Sequence, residues 1–257
     1  MLRKTFLHVP GIGRVMERSL WEQGCDDWDA LLADPARYTY GAAPQDLVVE
    51  QIADSRRKLE AREHQFFAQS LRMSESWRAY EEFKDSCVYL DIETDGRDGP
   101  DCVTTIGMWD GAEFTCLIKG KDLEDFRDKI SHYAMVVTFF GAGFDVPVLE
   151  KRFPGFRFDQ IHFDLCPALR KLGYRGGLKK IERTLGIIRE GEIAELSGLD
   201  AVRLWRAYEW RGSERALETL VAYNRADVVN LEKLAEFAFP RMVRDTLGTL
   251  QKRLPDL

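Results

Sequence analysis

The sequence predicts an α/β fold in which a mixed β-sheet carries helices on its faces and follows a small N-terminal helical region. Two observations indicate this fold. An apolar run, CVYLDIET, is followed directly by two strand-like runs joined at Asp110-Gly111, and the later runs AMVVTFFG and IHFDL alternate with helical stretches. Direct succession is typical of antiparallel strands and alternation with helices is typical of parallel ones. We therefore expect a sheet with both pairings within residues 80–240.

The N-terminal segment, residues 1–35, is predicted to form a small helical unit. It opens with the turn Pro10-Gly11-Ile12-Gly13, continues with an apolar-periodic stretch from Val15 to Trp21 and stops at Gly24. Glycine is typical of the position just after a helix. The sequence therefore predicts a hairpin followed by a helix.

Residues 36–79 are interpreted as a helical connector. Asp46 to Leu71 contains neither Gly nor Pro and is dense in good helix formers, so one long helix with a charged, solvated face is expected there. Beyond the strands, GGLKKIERTLG, LDAVRLWRAYEW and SERALETLVAYNRADVVNLEKLAEFAF are also predicted to be helical. Residues 241–257 are assigned to a C-terminal tail.

Composition restricts the class of protein. The 257 residues include 37 Lys and Arg against 43 Asp and Glu, a net charge of −6, which argues against a uniformly basic nucleic-acid coat but not against a nucleic-acid enzyme. Five cysteines form no Cys-x-x-Cys pair, and no apolar run is long enough for a signal peptide or a membrane span. A cytoplasmic protein without a membrane partner is expected.

Four carboxylates stand out by their placement. Asp91 and Glu93 are two residues apart near a strand end, Asp145 follows the strand-to-helix turn GAGFD, and Asp227 comes four residues after Tyr223 in a helix. Singly, each has an ordinary interpretation: an exposed strand end, a helix N-cap and a solvated helix face. Together they would supply the hard oxygen ligands that a two-metal phosphodiesterase needs.

These residues resemble the motifs of the DEDD superfamily of 3′–5′ exonucleases, which have the ribonuclease H-like fold. Asp91-Ile92-Glu93 matches the first motif, Phe144-Asp145 the second, and Tyr223 to Asp227 the third. Ala222 stands where the His subclass has its histidine, so the resemblance indicates the Tyr subclass. It implies that Asp91, Glu93, Asp145 and Asp227 bind two divalent cations, Mg²⁺ or Mn²⁺, while Tyr223 orients or helps deprotonate the attacking water. Because a free tyrosine has a pKa near 10, orientation is favoured.

A narrower resemblance covers about residues 80–240. DIETDG, VTFFGAGFDVPVLEKRF, LGYRGGLKKIERTLGI and YNRADVVNLEKLAE are similar to the YprB-type predicted ribonuclease H-like exonucleases. Many relatives have an Asn a few residues before Phe-Asp, and this chain has Thr138-Phe139-Phe140-Gly141 there.

A basic strip is the best candidate for contacts with nucleic-acid phosphates. Residues 170–189 contain seven basic residues and one acid, Glu182, and Gly176-Gly177 open a predicted helix within them. A solvated helix face is the ordinary alternative. Tyr174 and Phe140 could stack on bases, although core packing is the more ordinary expectation for Phe140. The candidate substrate contacts are Thr94, Phe140, Phe144, Arg175, Lys179 and Lys180.

The hairpin His8 to Arg14 resembles that of a helix-hairpin-helix motif, which implies backbone contacts to nucleic acid from Gly11 and Gly13. A protein-docking or dimerising unit is the alternative. For the whole chain the sequence predicts a metal-dependent 3′–5′ exonuclease releasing nucleoside 5′-monophosphates from a single-stranded 3′ end of DNA or RNA. A structure-specific endonuclease and a non-catalytic nucleic-acid adaptor are the alternatives, and no oligomeric state is indicated.

Overall fold

The computed structural model describes residues 1–189 and 191–251. The helices are α1 Arg14–Glu22, α2 Trp28–Ala33, α3 Gln45–Glu60, α4 His64–Ser70, α5 Tyr80–Phe83, α6 Phe126–Ile130, α7 Asp145–Arg152, α8 Leu165–Lys171, α9 Leu178–Thr184, α10 Gly198–Arg211 and α11 Glu214–Gln251. The strands are β1 Cys87–Thr94, β2 Val103–Trp109, β3 Phe114–Ile118, β4 Met135–Thr138 and β5 Ile161–Asp164. Short 3-10 helices occupy Leu2–Lys4, Pro35–Arg37, Met73–Ala79, Lys84–Ser86, Pro100–Cys102, Leu123–Asp125 and Gly191–Ile193.

The predicted mixed sheet is confirmed. Its strand order is β3-β2-β1-β4-β5, with β1, β2 and β3 paired antiparallel and β1, β4 and β5 paired parallel. The tight turn between β2 and β3 lies at Asp110, whose carboxylate accepts hydrogen bonds from the N–H groups of Ala112 (2.9 Å) and Glu113 (2.7 Å). β1 is therefore a central strand with neighbours on both sides.

The two faces of β1 point into two different cores. Val88, Leu90 and Ile92 are buried with residues of α6 and α7, whereas Cys87 and Tyr89 are buried with residues of α11. Because side chains alternate along a strand, Asp91 and Glu93 continue the row of Cys87 and Tyr89. Both carboxylates thus lie on the face that α11 covers.

The helix α11 is the longest element, with 38 residues. It contacts β1, β2 and β4 as well as α1, α8, α9 and α10. It also continues through Pro240, so the predicted tail at 241–257 begins inside this helix, and residues 252–257 lie outside the described residues. In that described part, no helix combines the length and apolar composition needed to cross a membrane.

The prediction of one long helix from Asp46 to Leu71 is wrong. α3 ends at Glu60 and α4 begins at His64, and between them Arg62 takes a left-handed conformation with φ +59°. The guanidinium of Arg62 lies 4.9 Å from the ring centroid of Phe83 and pairs with Asp85. Both partners lie about 20 positions further along the chain. Their contacts with Arg62 stabilise a helix break that no nearby Gly or Pro indicates.

The segment is also not a connector outside the core, as its composition had suggested. Val48, Ile52 and Leu59 of α3 and Phe67 of α4 are buried in the same apolar cluster as Tyr89 of β1. The charged residues that dominate the sequence of α3 form its solvent-facing side, opposite the buried apolar residues.

A buried ion-pair network fixes the N-terminal unit to the rest of the chain. The Glu17 carboxylate accepts hydrogen bonds from Thr5 Oγ1 (2.6 Å) and Phe6 N (2.8 Å) and pairs with Arg78 (3.2 Å). Arg78 also donates to Glu75 (2.7 Å), and all three charged side chains are buried. Removing one partner of such a network leaves an uncompensated buried charge, so the unit is firmly held.

Candidate active site

Three of the four predicted metal ligands converge at the end of β1. Asp91, Glu93 and Asp227 each offer one carboxylate oxygen, and these oxygens lie within 4.8 Å of one another. The strand places the first two because of its two-residue period, and α11 crosses the same face and adds the third.

Asp145 lies beside this cluster. The N-cap of α7 is Phe144 and Asp145 is the first helical residue, so the ordinary alternative interpretation of Asp145 as a helix cap does not apply. Its Oδ1 instead accepts a hydrogen bond from Ile92 N (3.2 Å), the amide between Asp91 and Glu93. The carboxylate is 3% exposed and is directed at the strand that carries the other two acids.

Asn224, next to Tyr223 in the sequence, holds Asp91. Its Nδ2 donates to Asp91 Oδ2 (3.1 Å) and to the Asp91 carbonyl oxygen (3.3 Å). Gly107 faces Asp91 in the β1–β2 pairing, and a Cβ there would lie 1.9 Å from Asn224 Oδ1. Only glycine leaves room for this asparagine, which we had not included among the site residues.

The acidic cluster is electrostatically costly without a cation. Removal from water, followed by repulsion from the other carboxylates, raises the pKa of Asp91 well above its usual range and that of Glu93 to about 8. Burial raises the pKa of Asp145 to about 7. Burial also raises the pKa of Asp227 to about 6, although the adjacent Arg189 opposes that rise.

Arg189, the last residue of the basic strip, is a charged partner within the site. Its Nε and Nη2 each donate to Glu182 at 2.7 Å, and Nη2 also pairs with Asp227. Asn230 donates to Glu182 Oε1 (3.0 Å). The one acid within the basic strip was the available signal, because an isolated acid among cations is a natural partner for one of them.

Tyr223 lies under two cations. Lys179 Nζ is 4.6 Å and the Arg189 guanidinium carbon 5.6 Å from its ring centroid. Burial, followed by the negative charge of Asp227, raises the pKa of the Tyr223 phenol far above its ordinary value. The phenol therefore stays protonated at neutral pH and can orient a water molecule but is a poor base.

The loop before Asp145 is held by Asp164. Its carboxylate accepts hydrogen bonds from the backbone N–H groups of Phe140 (2.8 Å), Ala142 (3.2 Å) and Cys166 (3.0 Å). Phe140 takes φ +66°, a conformation that L-residues rarely adopt. Its ring lies against Gly143, where a Cβ would come within 2.6 Å of it.

Two of the three phenylalanines in this loop are exposed. Phe140 is 54% exposed and Phe144 is 43% exposed, so the expectation of core packing for Phe140 is wrong. The ring of Phe140 lies over Gly143 and joins neither of the apolar clusters that flank β1. Tyr174, the other candidate for stacking, packs against Phe237 with ring centroids 5.3 Å apart.

A cleft of about 740 Å³ opens over the acidic cluster. Predicted site residues that line it are Asp91, Glu93, Lys179, Lys180, Tyr223 and Asp227. Predicted residues outside its lining are Thr94 at the end of β1, Asp145, Phe140 and Phe144 beside β4, Arg175 before α9, and Gly11 and Gly13 in the N-terminal unit. Gly11 has φ +85° and Gly13 is the N-cap of α1.

The donor set suits a hard divalent cation. Mg²⁺ and Mn²⁺ prefer oxygen ligands, and the cluster offers three carboxylates with a fourth beside it. The raised pKa values point the same way, because four acids held together in a partly dry site repel one another until a cation neutralises them.

Comparison with known proteins gives one family match. The model of the RNase_H superfamily, RNase_H_2, matches residues 88–239. None of the curated proteins matches the chain. Among solved structures, the chain is similar to the family B DNA polymerase from the hyperthermophilic archaeon Pyrobaculum calidifontis, with 18% sequence identity and a TM-score of 0.49. That similarity covers 62% of this chain and 25% of the polymerase chain, so the chain spans about a quarter of the polymerase's length.

Proposed function

The chain belongs to the RNase_H superfamily, and on that premise we propose that it is a divalent-metal-dependent 3′–5′ exonuclease acting on nucleic acid. One observation carries the proposal: the oxygens of Asp91, Glu93 and Asp227 meet within 4.8 Å in a cleft beside Tyr223. Water attacks the phosphorus, the bond from phosphorus to the 3′ oxygen breaks, and a nucleoside 5′-monophosphate leaves while the 3′ oxygen takes a proton.

The residues have distinct tasks in this proposal. Asp91, Glu93, Asp145 and Asp227 would hold the cations, Asn224 orients Asp91, and the protonated Tyr223 would orient the attacking water. Two bound Mg²⁺ or Mn²⁺ ions would lower the pKa of that water and stabilise the leaving oxygen. The raised pKa of the phenol supports an orienting role for Tyr223. The spacing of Tyr223 and Asp227, with Ala222 in place of a histidine, supports the Tyr subclass of DEDD exonucleases.

Substrate contacts are proposed at aromatic and at basic residues. Phe140 and Phe144 present exposed rings on which unpaired bases could stack, and Thr94 lies at the end of the strand that carries Asp91 and Glu93. Lys179 and Lys180 line the cleft, and Arg175 precedes them in an exposed position. This arrangement supports a single-stranded 3′ end, of DNA or RNA, as the substrate.

The finer assignments belong to the same proposal. The division into a helix-hairpin-helix-like unit at 1–35, a helical segment at 36–79 and an exonuclease domain of YprB type at 80–240 is retained. Gly11 and Gly13 flank a turn whose backbone could contact phosphates. The five cysteines are free thiols, which supports a reducing compartment such as the cytoplasm.

The test is a cleavage assay with a matched pair of variants. A 5′-labelled single strand of DNA or RNA, incubated with Mg²⁺, Mn²⁺ or EDTA, should give a metal-dependent ladder that shortens from the 3′ end. Asp145→Asn should abolish the ladder without lowering the melting temperature, because it removes only a charge from a desolvated site. Asp128→Asn makes the same change at an exposed residue of α6 and should cleave normally.

Other outcomes select the alternatives. Internal fragments from a circular substrate would indicate an endonuclease. Intact substrate in every lane, together with no Mn²⁺ binding in a calorimetric titration, would indicate an adaptor and overturn the proposal.

A further inference from the structure

We propose that Lys179 and Arg189 form an anion subsite that binds one phosphate of the nucleic-acid substrate next to Asp227. This inference rests on the proposed function and adds to it the group that receives the substrate backbone. It is carried by two cationic side chains that line the cleft, each of which has a buried nitrogen donor with no hydrogen-bond partner.

Arg189 is held in place, but one of its nitrogens makes no hydrogen bond. Its side chain is 4% exposed, and its Nε and Nη2 are held by Glu182, with Nη2 also paired to Asp227. Asn230 holds Glu182 in turn. The remaining nitrogen, Nη1, is buried and has no partner. Because Nε and Nη2 are already held, a ligand that binds at Nη1 restricts the Arg189 side chain little further. Binding there therefore costs little side-chain entropy.

Lys179 is the second half of the subsite. Its Nζ is buried without a hydrogen bond and lies 4.6 Å from the centroid of the Tyr223 ring, which also carries Arg189 at 5.6 Å. The ring attracts both cations, but a cation–π contact leaves all three ammonium protons unpaired. A buried ammonium with no acceptor is unfavourable, so an incoming acceptor at this place gains a full charge-assisted hydrogen bond.

The chemistry of the two groups selects a phosphate. Two cations beside the same Tyr223 ring, each with a free N–H donor, suit an anion with several oxygens, and a phosphodiester presents two non-bridging oxygens that share one negative charge. Glu182 is already satisfied by Arg189 and Asn230, so it does not compete for the subsite. The acidic cluster therefore forms the part of the cleft that suits cations, and Lys179 and Arg189 form the part that suits an anion. The ion pair between Asp227 and Arg189 connects the two parts.

The alternative is that both cations only neutralise the carboxylates. Lys179→Met separates the two roles, because the variant keeps most of the aliphatic stem and breaks no hydrogen bond. The control is Arg225→Met, which removes an exposed cation from the same helix as Tyr223. Arg225 also lies over an aromatic ring, 5.7 Å from the Phe114 centroid, but does not line the cleft.

The experiment measures binding of a fluorescent single-stranded oligonucleotide by anisotropy, on the Asp145→Asn background so that the probe stays intact. We expect Lys179→Met to weaken binding about tenfold or more and to reduce the slope of log K against log salt by about 0.7, the value for one phosphate contact on a single strand. Arg225→Met should change affinity less than about twofold, in the range of a remote surface charge. Arg189→Lys should also weaken binding, since one ammonium cannot serve Glu182, Asp227 and a phosphate together.

Three results would overturn the subsite: unchanged affinity in Lys179→Met, an equal loss in Arg225→Met, or no oligonucleotide binding by the parent. Failure of the proposed function is distinguishable, because it appears as absence of cleavage by the unsubstituted chain in Mg²⁺, whereas the subsite is measured through binding alone.

Discussion

Replacing Gly107 by alanine is expected to disturb the site from the opposite strand. The new Cβ would lie 1.9 Å from Oδ1 and 2.7 Å from Cγ of Asn224, distances that no rotation of the alanine relieves. Asn224 must therefore move, and its hydrogen bonds to Asp91 Oδ2 (3.1 Å) and to the Asp91 carbonyl (3.3 Å) are lost. The change replaces none of the four carboxylates.

The magnitude follows from two costs. Overpacking a filled interior costs about 1–3 kcal/mol, and leaving buried polar groups without their partner costs about 1–3 kcal/mol more. The free energy of unfolding of Gly107→Ala should therefore fall by about 2–6 kcal/mol. Asn224→Ala should incur only the second cost and a small cavity.

The assay is a double-mutant cycle by urea denaturation. In Gly107→Ala with Asn224→Ala the clash disappears, so the double variant should be more stable than the sum of the two single losses predicts, with a coupling energy of at least about 1 kcal/mol. Additive losses, or a Gly107→Ala variant as stable as the parent, would refute the reasoning. Both single variants should also bind Mn²⁺ more weakly, because Asp91 is no longer oriented.

The remaining predictions concern pH and the exposed aromatic loop. Because burial raises the pKa of Glu93 to about 8 and of Asp145 to about 7, a cation must displace their protons, and Mn²⁺ affinity in calorimetry should rise at least about tenfold from pH 6 to pH 8.5. The same raised values mean that the metal-free protein binds more protons than its unfolded chain, so its melting temperature should fall as pH rises from about 4.5 to 8; a flat profile would contradict this. Phe140→Gly should not lower the melting temperature, since a left-handed residue at φ +66° costs about 1–2 kcal/mol for an L-residue, yet it should raise KM for single-stranded substrate. An unchanged KM would remove Phe140 from the substrate contacts.

Elements with strong local signals could be predicted from the sequence. The strand pattern of CVYLDIET and the turn at Asp110 place β1, β2 and β3, and the two-residue spacing puts Asp91 and Glu93 on one face. The four-residue spacing likewise puts Tyr223 and Asp227 on one side of α11. Hydrophobic periodicity and turn composition depend on a few neighbouring residues, so both can be recognised in the sequence.

Features made by distant residues could not be predicted in this way. The break between α3 and α4 depends on Arg62 reaching Phe83 and Asp85, and composition alone indicates an unbroken helix. Arg189 meets Asp227 from 38 positions away, and Asn224 meets Asp91 from 133 away. No local pattern contains such pairs, because they exist only once the sheet and α11 have come together.

The position of α11 at the end of the described chain sets the order in which the protein can assemble on a ribosome. This helix completes the apolar cluster that begins at Leu2, and it carries Asp227 and Tyr223 to the acids of β1. A nascent chain that has not yet reached Glu214 lacks α11. The N-terminal helix α1 and one face of the sheet then lack the helix that contacts them both. Folding of this domain is therefore expected to remain incomplete until α11 emerges, when the common apolar cluster and the four-carboxylate arrangement are acquired together.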